Sequence, residues 1–287
     1  RITAPNKSVC CHFMKAPEFN KIYVIESLPV GEPKTGQLLY DDTIKRRLEQ
    51  KGMDNNCEFI APNSKDDFFR ALEHIKSEVI HSNVNPIIHL ELHGSKAGLQ
   101  LNNSEIIRWD ELQFRLIELN GISECNLFVT LASCYGGYIY TVIRPNLRTP
   151  FWGFVGPFEI VYNDEILLNF TAFYDEFLQS LDFNQAVDAL NYANPDNKSK
   201  FRFQNTEYVF NVAYQNYEAK YLTPEVVEQR LEKGLLEAKK HQELNGWTDE
   251  AIRSMLRFYM VDSKDLLKEN MMTNFFMRDL FPHHKPK

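Results

Sequence analysis

Two short apolar runs, each ending in a reactive residue next to glycine, constrain this chain more than any other feature. PIIHLELHGS carries its hydrophobic residues up to His93 and Gly94, and CNLFVTLASCYGG carries them up to Cys134 and the pair Gly136 and Gly137. Runs of this length, bounded by small residues, are the pattern of strands buried on both faces in a parallel sheet covered by helices. Open sheets of that kind bind ligands beyond the carboxyl ends of their strands. His93 and Cys134 are therefore expected to project from neighbouring strand ends, the placement that a cysteine nucleophile and its histidine base require.

The flanking sequence continues the alternation. KIYVIESLPV reads as a first strand, followed by the loop GEPKTGQ; LLYDDTIKRRLEQKG has helical spacing up to Gly52, and CEFIAP is a second short strand. SKDDFFRALEHIKSEVIH is a helix with Ser64 as its cap. After PIIHLELHG come a short extended pair around AGLQLNNSEI, a helix at RWDELQFRLIELNG, and the strands NLFVTLASC and TPFWGFVGPFEIV. Strands alternating with helices of this length imply right-handed crossovers, hence an α/β fold whose mostly parallel central sheet has helices on both faces. From Asn163 onward amphipathic helices follow, with Thr223 and Pro224 opening one and Thr248 capping another. The expected organisation is a lead over 1–20, an α/β domain over 21–182 and a helical extension or subdomain over 183–287. Tyr208, Phe210, Tyr214, Tyr217 and Tyr221 in that extension are expected to pack against the sheet domain rather than to form a partner groove.

Composition narrows the function classes. The net charge of -7 argues against a broad phosphate-binding face, and the basic groups at Lys45–Arg47 and Lys239–Lys240 lie among acids on helices, as solvated faces do. No segment reaches the roughly 18 consecutive apolar residues of a membrane span. Neither nucleic acid nor membrane is an expected partner. Five cysteines and no apolar leader favour a reducing, cytoplasmic setting without disulfides. Cys10, Cys11, Cys57 and Cys125 read as ordinary small hydrophobes; Cys134 alone has a reactive context.

A thiolate attacks carbonyl carbon far better than a thiol, and a nearby imidazole promotes its formation. The glycines after Cys134 are expected to let the chain turn tightly, leaving the backbone N–H groups of Cys134 and Gly94 as oxyanion donors. HLELHG followed by LASCYGG resembles the histidine and cysteine motifs of the caspase-like (clan CD) cysteine peptidases, especially the bacterial CHAT-type branch. The order of the two motifs matches, and the resemblance covers about Lys21 to Asn163. Ala132, Ser133 and Tyr135 replace the residues that flank the caspase nucleophile, so aspartate specificity is not implied. What the resemblance implies is endopeptidase action on a protein substrate through a thioester, with Cys134 attacking and His93 moving the proton, and with no cofactor or metal. It further implies regulation, a place in bacterial defence or cell death, and a regulatory protein partner bound by the carboxyl-terminal helices. Loops after the first and last core strands should border the cleft, with Ala132, Ser133, Glu159, Asp164, Glu165, Asp41 and Asp42 as candidate substrate-pocket residues.

Three other readings stay open. His89, Glu91 and His93 share one face of a strand and could ligate a divalent metal for hydrolysis, although the spacing is not that of HExxH. Ser133 could be a nucleophile, but no GxSxG elbow is present and a supporting role in the turn is the simpler expectation. The fold could also persist as a catalytically silent scaffold for protein interaction.

Overall fold

The computed structural model describes residues 18–194, 199–244 and 246–282. The amino-terminal lead before residue 18, with Cys10 and Cys11, lies outside the described residues, as do 283–287.

The strands are β1 (Lys21–Ser27), β2 (Cys57–Ile60), β3 (Pro86–Ser95), β4 (Gly98–Gln100), β5 (Ile106–Arg108), β6 (Phe128–Ala132), β7 (Gly153–Pro157) and β8 (Phe201–Asn205). The helices are α1 (Thr35–Leu39), α2 (Arg46–Glu49), α3 (Lys65–Ser82), α4 (Trp109–Ile122), α5 (Asn163–Ser180), α6 (Phe183–Tyr192), α7 (Thr206–Tyr221), α8 (Pro224–Ala238), α9 (Asp249–Arg257) and α10 (Lys264–Phe275). A π-helical stretch, Tyr40–Lys45, joins α1 to α2. The main sheet runs β2-β1-β3-β6-β7-β8, and the β4–β5 hairpin extends from the end of β3. Every pairing among β2, β1, β3, β6 and β7 is parallel; β8 is antiparallel to β7. The expected α/β architecture is present. Among the described residues, no helix is long and apolar enough to cross a membrane.

Local chemistry accounts for the element boundaries. Ser64 accepts the Asp67 N–H at 3.1 Å and starts α3, Thr223 with Pro224 starts α8, and Thr248 starts α9. The central strands β1, β3 and β6 are buried almost end to end, as their unbroken apolar runs require. Two strands are shorter than their apolar runs. The first ends at Ser27, before Pro29, which has no N–H for a ladder; β7 ends at Pro157 for the same reason. The basic groups are solvated faces: Arg47 pairs with Asp175 at 2.5 Å, Lys239 with Asp249 at 2.7 Å and Lys240 with Glu237 at 2.7 Å.

The expected boundary at 182/183 runs through a single core. FRFQN, in the half read as helical, is β8 and extends the same sheet. Its five residues offer too short an alternation to stand out from the adjoining helices, and its strand conformation comes from pairing with β7. At the far end of the chain, Phe275 and Phe276 pack on Phe210 of α7, with ring centroids 5.1 and 5.5 Å away. The Phe275 carbonyl accepts the Thr149 N–H at 2.9 Å. Phe210 and Tyr214 are buried as expected, whereas Tyr221 stays 40% exposed. Among the described residues, only α8 and α9 form a separate small cluster, around Leu235, Ala238 and Ile252. Phe275→Ala should therefore cost about 3–5 kcal/mol of global stability, read as a fall in the urea midpoint of one cooperative transition. A separate early transition confined to the helical half would show that the core is divided.

Candidate active site

β3 and β6 pair in parallel, with His89 opposite Thr130 and Glu91 opposite Ala132. Neighbouring strands lie about 4.8 Å apart and side chains alternate between faces, so each step of two residues makes a new row on the same face. The His89–Thr130 row is closed by a hydrogen bond of 2.8 Å between Nδ1 and Oγ1. One row past the last pair, the same register would bring His93, where β3 turns into the β4 hairpin, level with Cys134, just beyond β6, at the carboxyl edge of the sheet. His93 is exposed and Cys134 half-buried, so the file runs from a sealed interior to solvent.

The approach of the two strand ends is tight. A Cβ at Gly94 would collide with the Cys134 carbonyl oxygen and lie 2.9 Å from the Ser133 Cβ, so only glycine fits there. The residue that turns the chain is Tyr135, in the left-handed region at φ 58°, and not either glycine after it. Gly136 and Gly137 are needed for space instead: a Cβ at Gly136 would sit 2.7 Å from the Leu131 Cβ, and one at Gly137 would sit 2.8 Å from the Phe158 ring. Ser133 supports the turn through its carbonyl, which accepts the Gly136 N–H at 3.0 Å. Its buried hydroxyl has no hydrogen-bond partner among the described residues.

Both candidate side chains are held by loops. His93 Nε2 lies 2.9 Å from Glu32 Oε2, on the loop between β1 and α1. The Cys134 thiol donates to the Val161 carbonyl at 3.5 Å, on the loop between β7 and α5, and Glu159 of the same loop accepts the Tyr135 N–H at 3.1 Å. The loops after the first and last core strands thus do border the site. Glu32 is the residue that sequence reasoning missed. GEPKTGQ marks a loop, but nothing in its composition separates Glu32 from an ordinary surface acid.

The candidate pocket residues are not brought together. Ala132 and Ser133 are each 1% exposed and present no surface to a ligand. Glu165 is used structurally: it accepts the Tyr162 N–H at 2.9 Å at the start of α5 and pairs with Lys200 at 2.9 Å. Asp41 and Asp42 follow Tyr40, whose hydroxyl lies 3.7 Å from Cys57 Sγ at the amino end of β2. Asp41 accepts the side-chain amide N–H of Gln37 at 2.7 Å within the same helical segment, and both acids are exposed. Glu159, whose carbonyl accepts the Tyr135 N–H, and Asp164, in the first turn of α5, are both exposed.

His89, Glu91 and His93 do not form a metal centre. His89 spends Nδ1 on Thr130 and lies 3.2 Å from Glu91 through Nε2, while His93 is with Glu32. The one cluster with metal-ligand spacing among the described residues is Glu58, His74 and Glu78, away from this edge, and the Lys21 ammonium lies between its carboxylates at 3.3 and 2.6 Å. Of the other described cysteines, Cys125 is inert, because burial pushes its thiol up to about 12. No protein-family model matches the chain, and no curated protein sequence matches it.

Below the site, Glu26 at the end of β1 is 5% exposed and accepts the N–H groups of Gly36 at 2.9 Å and Gln37 at 3.2 Å. Burial is the largest influence on its carboxyl and raises it above the ordinary carboxylate value; the two N–H bonds oppose this only in part. The folded state consequently holds this proton more tightly than the unfolded chain. Relative to a Glu26→Gln variant, which cannot titrate, the protein should be most stable below the unfolded carboxylate value and lose that advantage as pH rises through the raised folded value. Urea midpoints of both proteins across roughly pH 4 to 8 check this, since a pH-independent difference would mean that the carboxyl is not shifted.

Proposed function

We propose that this chain is a cysteine endopeptidase of the caspase-like kind, which cleaves a protein substrate with Cys134 as nucleophile and His93 as its base. What supports the reading is the parallel register of β3 with β6, which, carried one row past its last pair, brings His93 and Cys134 to adjacent positions at the carboxyl edge of the sheet, together with the close approach of Gly94 to the Cys134 carbonyl. The resemblance of HLELHG and LASCYGG to the motifs of that clan supports it independently.

A carboxylate can only accept, so Glu32 selects the neutral tautomer of His93 with its proton on Nε2, leaving the Nδ1 lone pair to receive the thiol proton. Cys134 then attacks the scissile carbonyl and the oxyanion forms beside the N–H groups of Cys134 and Gly94. His93 returns the proton to the leaving amine, and water attacks the thioester with the same histidine as base. The thiol bond to Val161 belongs to the resting state: attack requires the β7–α5 loop to release it. Control by a protein partner that moves this loop fits that requirement, and a role in bacterial defence extends the same resemblance. With Glu165 paired to Lys200, the exposed acids left as candidates to receive a basic substrate side chain are Glu159, Asp164, Asp41 and Asp42.

A panel of acyloxymethyl ketone peptides with varied terminal side chains tests the reading, with intact mass locating the adduct. Labelling should occur at Cys134, vanish in Cys134→Ala and slow by at least about a hundredfold in His93→Ala. Absence of labelling by every peptide, with candidate partner proteins present, would leave a silent scaffold as the better description.

A further inference from the structure

Two carboxylates lie buried beneath the proposed dyad, where neither touches a substrate. Glu91 is 1% exposed and Glu26 5%. Glu91 accepts the Thr35 hydroxyl on Oε1 and lies 3.2 Å from His89 Nε2 through Oε2. His89 continues the chain to Thr130 at 2.8 Å, and Thr130 bonds the Tyr174 hydroxyl of α5 at 2.9 Å. Glu26 takes two N–H groups of α1. A Cβ at Gly36 would lie 3.0 Å from Glu91 Oε2 and 3.1 Å from Glu26 Oε1, so the start of α1 is seated directly on both acids. Burying charge in this way adds little net stability compared with apolar side chains of similar size, so such a network is better explained by the geometry that it fixes.

That geometry is the loop 28–34. It leaves β1 two residues after Glu26, carries Glu32, and returns to the chain at Thr35. Lys34 closes it by donating to the Leu28 carbonyl and, at 3.3 Å, to the Pro29 carbonyl, while Gly31 turns at φ 93°. Glu91 is two residues before His93 on the same face of β3. The strand that presents His93 therefore also holds the helix start from which the Glu32 loop departs.

We propose that Thr35 and Glu91 are positioning residues of the site: their buried hydrogen bond fixes the start of α1 and thereby holds Glu32 against His93. The inference rests on the peptidase reading for what the site does, though not for how it is built. Neither residue touches the reacting atoms; both act through Glu32.

Thr35→Val removes only the hydroxyl donor, and Thr35→Ser restores it. The experiment compares the 287-residue chain with these variants, with Glu32→Ala and with the Glu32→Ala, Thr35→Val double variant. Two readouts need no peptide substrate: the imidazole nitrogen shifts of His93, which report its tautomer, and the rate of Cys134 alkylation by iodoacetamide, located by mass. Thr35→Val should mix the tautomers and slow alkylation about tenfold, a fraction of the hundredfold or more that a general base supplies. Thr35→Ser should restore both, and the double variant should be no slower than Glu32→Ala alone, because residues acting through one another are not additive. A folded Thr35→Val with the original tautomer and rate, or a further loss in the Glu32→Ala background, overturns the proposal. If Thr35→Val does not fold, Gly36→Ala, which presses a methyl onto both carboxylates, is read by the same two criteria. A Cys134 whose alkylation obeys this pattern but which no acyloxymethyl ketone labels would defeat the peptidase reading and leave the positioning intact.

Discussion

The parallel pairing of β3 with β6 is the constraint on which the rest of this structure depends. Its register puts His89 beside Thr130 and Glu91 beside Ala132. A slip of one residue would turn the whole file of side chains to the other face, exchanging buried polar groups for apolar ones. Burial on both faces makes such a slip very costly, so the position of Cys134 relative to His93 is set by the hydrophobic content of two strands. The chemistry proposed for the pair is borrowed from the rigidity of the sheet.

Around that fixed pair the variable parts are loops. Glu32 grips the imidazole from one side and the Val161 carbonyl accepts the thiol from the other. The left-handed Tyr135 and the close approach at Gly94 are local departures from ordinary strand geometry, and both sit at the candidate site. Strain of this kind persists where the surrounding structure over-determines it. Here the sheet below and the β7–α5 loop above do so.

The helical half is partly framework and partly appendage. α7 and the end of α10 are buried against the sheet through Phe210, Tyr214, Phe275 and Phe276. α8 and α9 pack chiefly on each other, through Leu235 and Ile252. A partner acting through the carboxyl-terminal helices would have to work through α7 or α10 to reach the sheet, since those carry the shared packing.

The sequence by itself determined the strands β1, β3 and β6, the helix caps at Ser64, Thr223 and Thr248, the α/β class, and the two residues on which the functional proposal stands. These are local matters: an unbroken apolar run can satisfy itself only by burial, and a capping hydroxyl is read within three residues of its helix. Only the tertiary structure decided that Glu165 is spent on Lys200, that FRFQN is a strand, and that Glu32 meets His93 across 61 residues of chain. Each depends on which distant group arrives beside a residue, and a polar side chain carries no periodicity that announces its partner. The buried acids Glu26 and Glu91 lie between the two cases. Their presence in apolar strands was visible in the sequence, but what they hold became clear only when α1 was seen resting on them.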